Sequence, residues 1–172
     1  FGMPGESILD NDELARLLLK PKDQIEIVDP VLKLIRITSN NFQFNTSNDN
    51  KESVNCLRLF GDNAPQKCHE NGIKKASDNN DRRISVAKEK GTDPVLQKYI
   101  GYTAATCSEV KSSSDDYIAF KVEHADENGN YAHCNIKLTL KASLDEKTKK
   151  QKTKFKNAAI SKLSDQFKRY EA

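Results

Sequence analysis

Three groups of residues in this sequence have the types and spacing to do chemistry: a run of lysines, four cysteines and three histidines. The lysines are Lys147, Lys149, Lys150, Lys152, Lys154 and Lys156, alternating with Thr and Gln. Residues 141–172 hold ten Lys or Arg against four Asp or Glu, so a chain of net charge +3 carries +6 in this segment alone. Basicity that is local is the footprint of an anionic partner. A helix starting here would have cations at its N-terminus, disfavoured by roughly a few tenths of a kcal/mol each, so local stability does not select them. Arg is scarce and no aromatic residue stands among these lysines before Phe155, which argues against sequence-specific nucleic-acid reading. The competing account is a solvated helix start.

The cysteines are Cys56, Cys68, Cys107 and Cys134. None forms a C-x-x-C, which argues against a zinc ribbon or a thioredoxin-type centre. An even, widely spaced set reads as two disulfides in an oxidising compartment, the alternative being four buried thiols. Of the three pairings, Cys56 with Cys68 and Cys107 with Cys134 is favoured, because it staples one loop and ties a segment to a hairpin. Asn45-Thr46-Ser47 is a glycosylation sequon, in keeping with that compartment.

Cys68-His69-Glu70 with His124 and His133 could in principle hold a metal, but in the hairpin register derived below the last two histidines point to opposite faces. His133 is expected instead to form an exposed cross-strand pair with Glu123. No metal and no cofactor is expected. A hydrolase would need a concave pocket bringing His69, His124 or His133 beside a nucleophile, since no G-x-S-x-G, P-loop or H-E-x-x-H is present. The acidic pairs Asp115-Asp116 and Asp145-Glu146 fit loop solvation and capping better than glycosidase chemistry.

These residues sit in a chain of 172 residues, long enough for one domain over 1–172 with its own core. Nearly a third of the residues are charged and Trp is absent. The longest apolar runs are only a few residues, too short for a transmembrane segment. The start on Phe1, with the only Met at position 3, suggests processing from a longer precursor.

The best-defined element is a β-hairpin over 117–140. Ile118, Phe120 and Val122 alternate on one arm, and Ala132, Cys134, Ile136, Leu138 and Leu140 on the other. A two-residue Asn128-Gly129 turn would oppose apolar to polar positions. A three-residue loop, Glu127-Asn128-Gly129, instead sets Val122 against Cys134, Phe120 against Ile136 and Ile118 against Leu138, and turns Cys134 into the core. Ser143 and Glu146 match a capping box, so a long helix over 143–171 is expected, with Phe155, Ala159, Ile160, Leu163, Phe167 and Tyr170 as its stripe.

Leu14, Leu17, Leu18 and Leu19 follow acidic capping residues and predict a short helix ending at Pro21. Ile25 and Ile27 suggest a strand. Asp29-Pro30 and Asp93-Pro94 each read as a helix start, the first leading into a helix through Val31, Leu34, Ile35 and Thr38. Residues 61–92 are polar and rich in Asn, Asp and Lys, and predict a long loop region tethered by Cys68.

The expected architecture is α+β: a small, mainly antiparallel sheet around the 117–140 hairpin, packed against a long C-terminal helix and shorter N-terminal helices. The expected role is that of a non-enzymatic, extracellular or periplasmic interaction or accessory protein that binds another protein. The alternatives are a module binding anionic polymers or membrane surfaces through Lys147–Lys156, and a hydrolase of unknown class.

Overall fold

Strand β1 (Glu13–Lys20) lies inside an eight-stranded sheet, and its position explains its sequence. Ala15 and Leu14 point to opposite faces and both are fully buried, because each face is covered. A strand buried on both sides needs no polar alternation. Its leucines therefore mimic the three- and four-residue spacing of a helix, and the N-terminal helix expected there is corrected to a strand.

The structure is a computed structural model that describes residues 5–46, 49–127 and 129–172. The remaining elements are β2 (Glu26–Asp29), β3 (Leu34–Arg36), β4 (Lys51–Cys56), α1 (Ala64–Lys90), β5 (Lys98–Thr106), α2 (Cys107–Ser112), β6 (Ile118–His124), β7 (His133–Leu140), α3 (Lys149–Ser164) and β8 (Arg169–Glu171). The strand order is β2-β3-β8-β5-β1-β4-β7-β6, with every pairing antiparallel. The fold is thus α+β as expected, but the sheet is larger and the longest helix is central rather than C-terminal.

The largest correction is α1, which replaces the polar loop expected over 61–92. Its 27 residues bury only Cys68, Gly72, Ala76 and Ala87. The stripe facing the sheet is made of small side chains, so no large apolar residue marks the helix in sequence. Gly72 shows why: a Cβ there would collide with the Tyr99 ring of β5. Gly91, at φ +67°, ends the helix.

Both Asp-Pro sequences are also corrected. Asp29 Oδ1 accepts from the N–H groups of Val31 (2.9 Å) and Leu32 (3.0 Å), the bonding of a helix cap, yet the chain turns back at Lys33 (φ +53°) into β3. Asp93-Pro94 leads not into a helix but into β5.

The hairpin keeps its apolar face but slips by two residues. Val122 opposes Ile136, Phe120 opposes Leu138, Ile118 opposes Leu140, and His124, not Val122, opposes Cys134. A slip of two preserves the parity that sets the face. Its cause lies in the connection, which runs from Ala125 to Ala132 and carries a bridge between Glu127 and Asn130. Asn128, the middle of the expected loop, lies outside the described residues.

The Ser143/Glu146 capping box is not used. Ser143 Oγ donates to Asp116 O (2.5 Å), and α3 is capped instead by Thr148, whose Oγ1 accepts from Gln151 N (3.2 Å). Of the expected stripe, Ala159, Ile160 and Leu163 are buried on the helix. Phe167 is fully buried beyond its end, and Tyr170 belongs to β8, which sits between β3 and β5.

The helices lie on opposite faces. Cys68 of α1 packs with Ala15, Tyr102 and Ala104. The α3 stripe packs with Leu14, Leu18 and Ala105, the alternate positions of the same strands, and with Phe42, Phe44, Ile136 and Phe167.

Candidate functional site

The α1 face opens into a polar cleft of about 590 Å³ between the helix and strands β1, β4 and β7. Its origin is in the pairing of β1 with β4, which is confined to Leu14 with Cys56 and Ala15 with Asn55. Beside that short ladder Arg16 reaches Asp23 through two contacts of 3.3 Å and donates to Leu17 O (2.7 Å) and to Asn41 O. Glu52 stands 3.9 Å from the same guanidinium. Asp23 also accepts from Leu19 N (2.9 Å) and Asn41 Nδ2 (3.3 Å). Buried charges persist when paired and hydrogen-bonded in this way.

Alternation builds the floor. Val54 and Cys56 of β4, and Cys134, Ile136 and Leu138 of β7, join the apolar core, which leaves Ser53, Asn55, His133 and Asn135 on the α1 side. Asn130 Nδ2 donates to Asn55 Oδ1 (2.8 Å), and Asn55 Nδ2 donates to Asn71 Oδ1 of α1 (3.0 Å). Ser53 pairs with Asn135 and Asn55 with His133, so Ser53 and His133 are diagonal neighbours.

His133 is therefore not the exposed partner of Glu123. It is 7% exposed, and Glu123 opposes Asn135. Its Nδ1 lies 2.5 Å from Ala125 O, and its Nε2 lies 3.1 Å from Ser53 Oγ and 3.0 Å from Glu127 Oε2. The cleft thus holds a histidine with a serine hydroxyl within hydrogen-bond reach. The contact crosses the β4–β7 pairing, which the sequence reading did not assign; the matching polar alternation of residues 53–55 and 133–135 is the signal that could have revealed it.

The other histidines are engaged elsewhere. His69 Nδ1 is 2.8 Å from the Tyr99 hydroxyl. His124 accepts from Glu6 N (2.9 Å) and contacts Tyr131 O (2.7 Å). Among the described residues no three His, Cys, Asp or Glu side chains gather to hold a metal. Asp115 Oδ1 accepts from the N–H groups of Tyr117 and Ile118 (2.8 Å each), a local capping role.

All four cysteines are buried and free. Cys134 Sγ donates to Ala132 O (3.6 Å), and the neighbouring Cys56 thiol, ahead of burial, raises the Cys134 pKa while Cys134 lowers that of Cys56. Cys68 lies across the sheet, its thiol pushed up to about 12 by burial. The packing therefore places Cys56, Cys107 and Cys134 in one apolar cluster and Cys68 in the other.

Lys147 precedes the α3 cap, and Lys149, Lys150, Lys152, Lys154 and Lys156 follow it. None of the six joins an ion pair among the described residues. Lys156 donates to Asn50 Oδ1 (3.2 Å), and burial lowers its pKa. Ser47 of the sequon lies outside the described residues. No helix among them is long and apolar enough to cross a membrane.

No protein-family model, no curated protein and no solved structure matches this chain.

Proposed function

We propose that this chain acts by binding another protein, and that the β2–β3 hairpin is its contact surface. The observation that carries the reading is exposure: Ile27 is 62%, Val28 52%, Val31 87% and Leu32 67% exposed. Single apolar residues on a surface need no explanation, whereas four in one short hairpin mark an interaction site. Burying each against a partner would contribute up to about 1.5–3 kcal/mol. Strand β2 is also an edge of the sheet, pairing among the described residues only with β3, so its outer N–H and C=O groups offer a template for an extended strand. The partner that fits is a polypeptide segment adding to β2 with apolar side chains towards Val31 and Leu32.

The compartment proposed for this role is extracellular or periplasmic. Its support is the even number and wide spacing of the four cysteines, of which Cys56 and Cys134 share one apolar cluster. If all four alkylate in the native, unreduced protein, that compartment is wrong.

A second reading is supported by the α3 lysines, which join no ion pair among the described residues: a contact with an anionic polymer. The two separate by mutation. In quantitative capture from the native extracellular fraction, Val31→Asp with Leu32→Asp should lose a specific partner that the wild type retains. Replacing Lys147, Lys149, Lys150, Lys152, Lys154 and Lys156 by Gln should leave that partner bound and shift heparin elution to lower salt. Equal capture by the hairpin variant would overturn the first reading; unchanged heparin elution would overturn the second.

A further inference from the structure

Ser53 and His133 stand 80 residues apart in sequence and 3.1 Å apart in space. Their geometry is that of a nucleophile and its base. The imidazole is oriented by Ala125, whose carbonyl lies 2.5 Å from Nδ1, while Ala125 N donates back to the His133 carbonyl (3.0 Å). Both ring nitrogens face acceptors, Nδ1 the Ala125 carbonyl and Nε2 the Glu127 carboxylate, so in the base form, with its proton on Nδ1, the Glu127 side chain swings off and Nε2 presents its lone pair to the Ser53 hydroxyl. Ser53 is exposed to the cleft and His133 is almost wholly buried beneath it. Glu127, on the connecting segment, places a carboxylate oxygen 3.0 Å from the same Nε2, where it can pair with the imidazolium that proton transfer creates.

We propose that Ser53 and His133 form a nucleophile–base pair that hydrolyses small acyl esters in the cleft under α1. The Ser53 O–H proton passes to His133 Nε2 as Oγ bonds to the ester carbonyl carbon. The tetrahedral centre collapses with cleavage of the carbon–oxygen bond, and the leaving alcohol takes the proton from Nε2. Water then attacks the acylated Ser53, gives one proton to His133, and releases the carboxylic acid as that proton returns to Oγ. Water is the only co-reactant.

The substrate class follows from the cations around the cleft. Lys22, Lys75 and Arg82 line it without an ion pair among the described residues, so an ester that itself carries a negative group is favoured. The activity is independent of partner binding. Ser53 and His133 lie on β4 and β7, while the apolar hairpin is at the opposite edge of the sheet.

The test is a fluorophosphonate probe on the full chain, read by intact mass and peptide mapping. An adduct is expected on Ser53, forming at least tenfold faster than on any other serine and absent in Ser53→Ala. His133→Gln should slow it at least tenfold. Glu127→Gln, a change at an exposed side chain, should slow it several-fold and serves if the buried substitution does not fold. No adduct at Ser53, labelling no faster than at other exposed serines, or an unchanged rate in either variant would overturn the pair. A nitrophenyl hemisuccinate should be hydrolysed faster than nitrophenyl acetate; the reverse order would overturn the anionic substrate class.

Discussion

One sheet is covered by two polar helices, and its two faces are finished in opposite ways. Against α3 the strands present Leu14, Leu18, Ile118, Phe120, Ile136 and Leu138, and the helix answers with Ala159, Ile160 and Leu163 in one continuous apolar cluster. Against α1 the apolar cluster is small, built on Ala15, Cys68, Tyr102 and Ala104, and it gives way to Ser53, Asn55, Asn71 and His133 around open space. Both finishes come from the same strands, because consecutive residues face opposite ways. Stability is concentrated on one face, which leaves the other free to hold polar side chains in fixed geometry.

The comparison breaks if the faces contribute alike. Phe167→Ala should destabilise by about 3–5 kcal/mol, since the ring is fully buried beside Phe42 at 5.5 Å. Ser53→Ala and Asn71→Ala, at the cleft, should stay under about 1 kcal/mol. Urea unfolding of the three variants would measure this, and similar losses would refute the division. Arg16→Ala is the informative exception among the residues lining the cleft. It leaves Asp23 and Glu52 buried without their cation and should cost about 3–5 kcal/mol.

Next in size is the seam between α1 and the sheet. In an exposed helix Gly→Ala stabilises by up to about 1 kcal/mol. At Gly72 the sign should reverse, with a loss of about 1–3 kcal/mol, because the added methyl meets the Tyr99 ring. Ser85→Ala, on the exposed half of the same helix, is the control and should not destabilise. A thermal melt in which Gly72→Ala gains stability would mean that α1 rides higher on the sheet than described.

That seam also explains what sequence could reveal. The β6–β7 hairpin and the α3 stripe were legible because each buries one face and exposes the other, so large apolar residues repeat at the period of the element. Strand β1 was not, because burial on both sides erased its alternation and left Leu14, Leu17, Leu18 and Leu19 at helical spacing. Helix α1 was not, because Cys68, Gly72 and Ala76 carry too little apolar surface to stand out among Asn, Asp and Lys. The candidate site needed still more. Ser53 meets His133 only through the pairing of β4 with β7, and pairing partners are not written in local periodicity.

Whether the α1 face is dry near its small cluster can be read from the pH dependence of stability. Cys68 is fully buried beside Tyr102, and burial holds its thiol neutral up to about 12, against an ordinary value of 9.0. In the unfolded chain that thiol ionises from pH 9 upward, so between pH 9 and about 12 the unfolded state gives up a proton that the folded state keeps. The stabilising contribution is complete below pH 9 and is lost as pH rises, at about 1.4 kcal/mol per pH unit for one such group. Tyr102, raised to about 12 from 10.0 mainly by burial and in part by Cys68, adds to the same alkaline loss. In urea titrations at pH 8 to 11 under reductant, Cys68→Ala should therefore start close to the wild type and fall less steeply. Parallel curves would mean that water already reaches the sulfur, and that the polar cleft extends beneath the N-terminal half of α1.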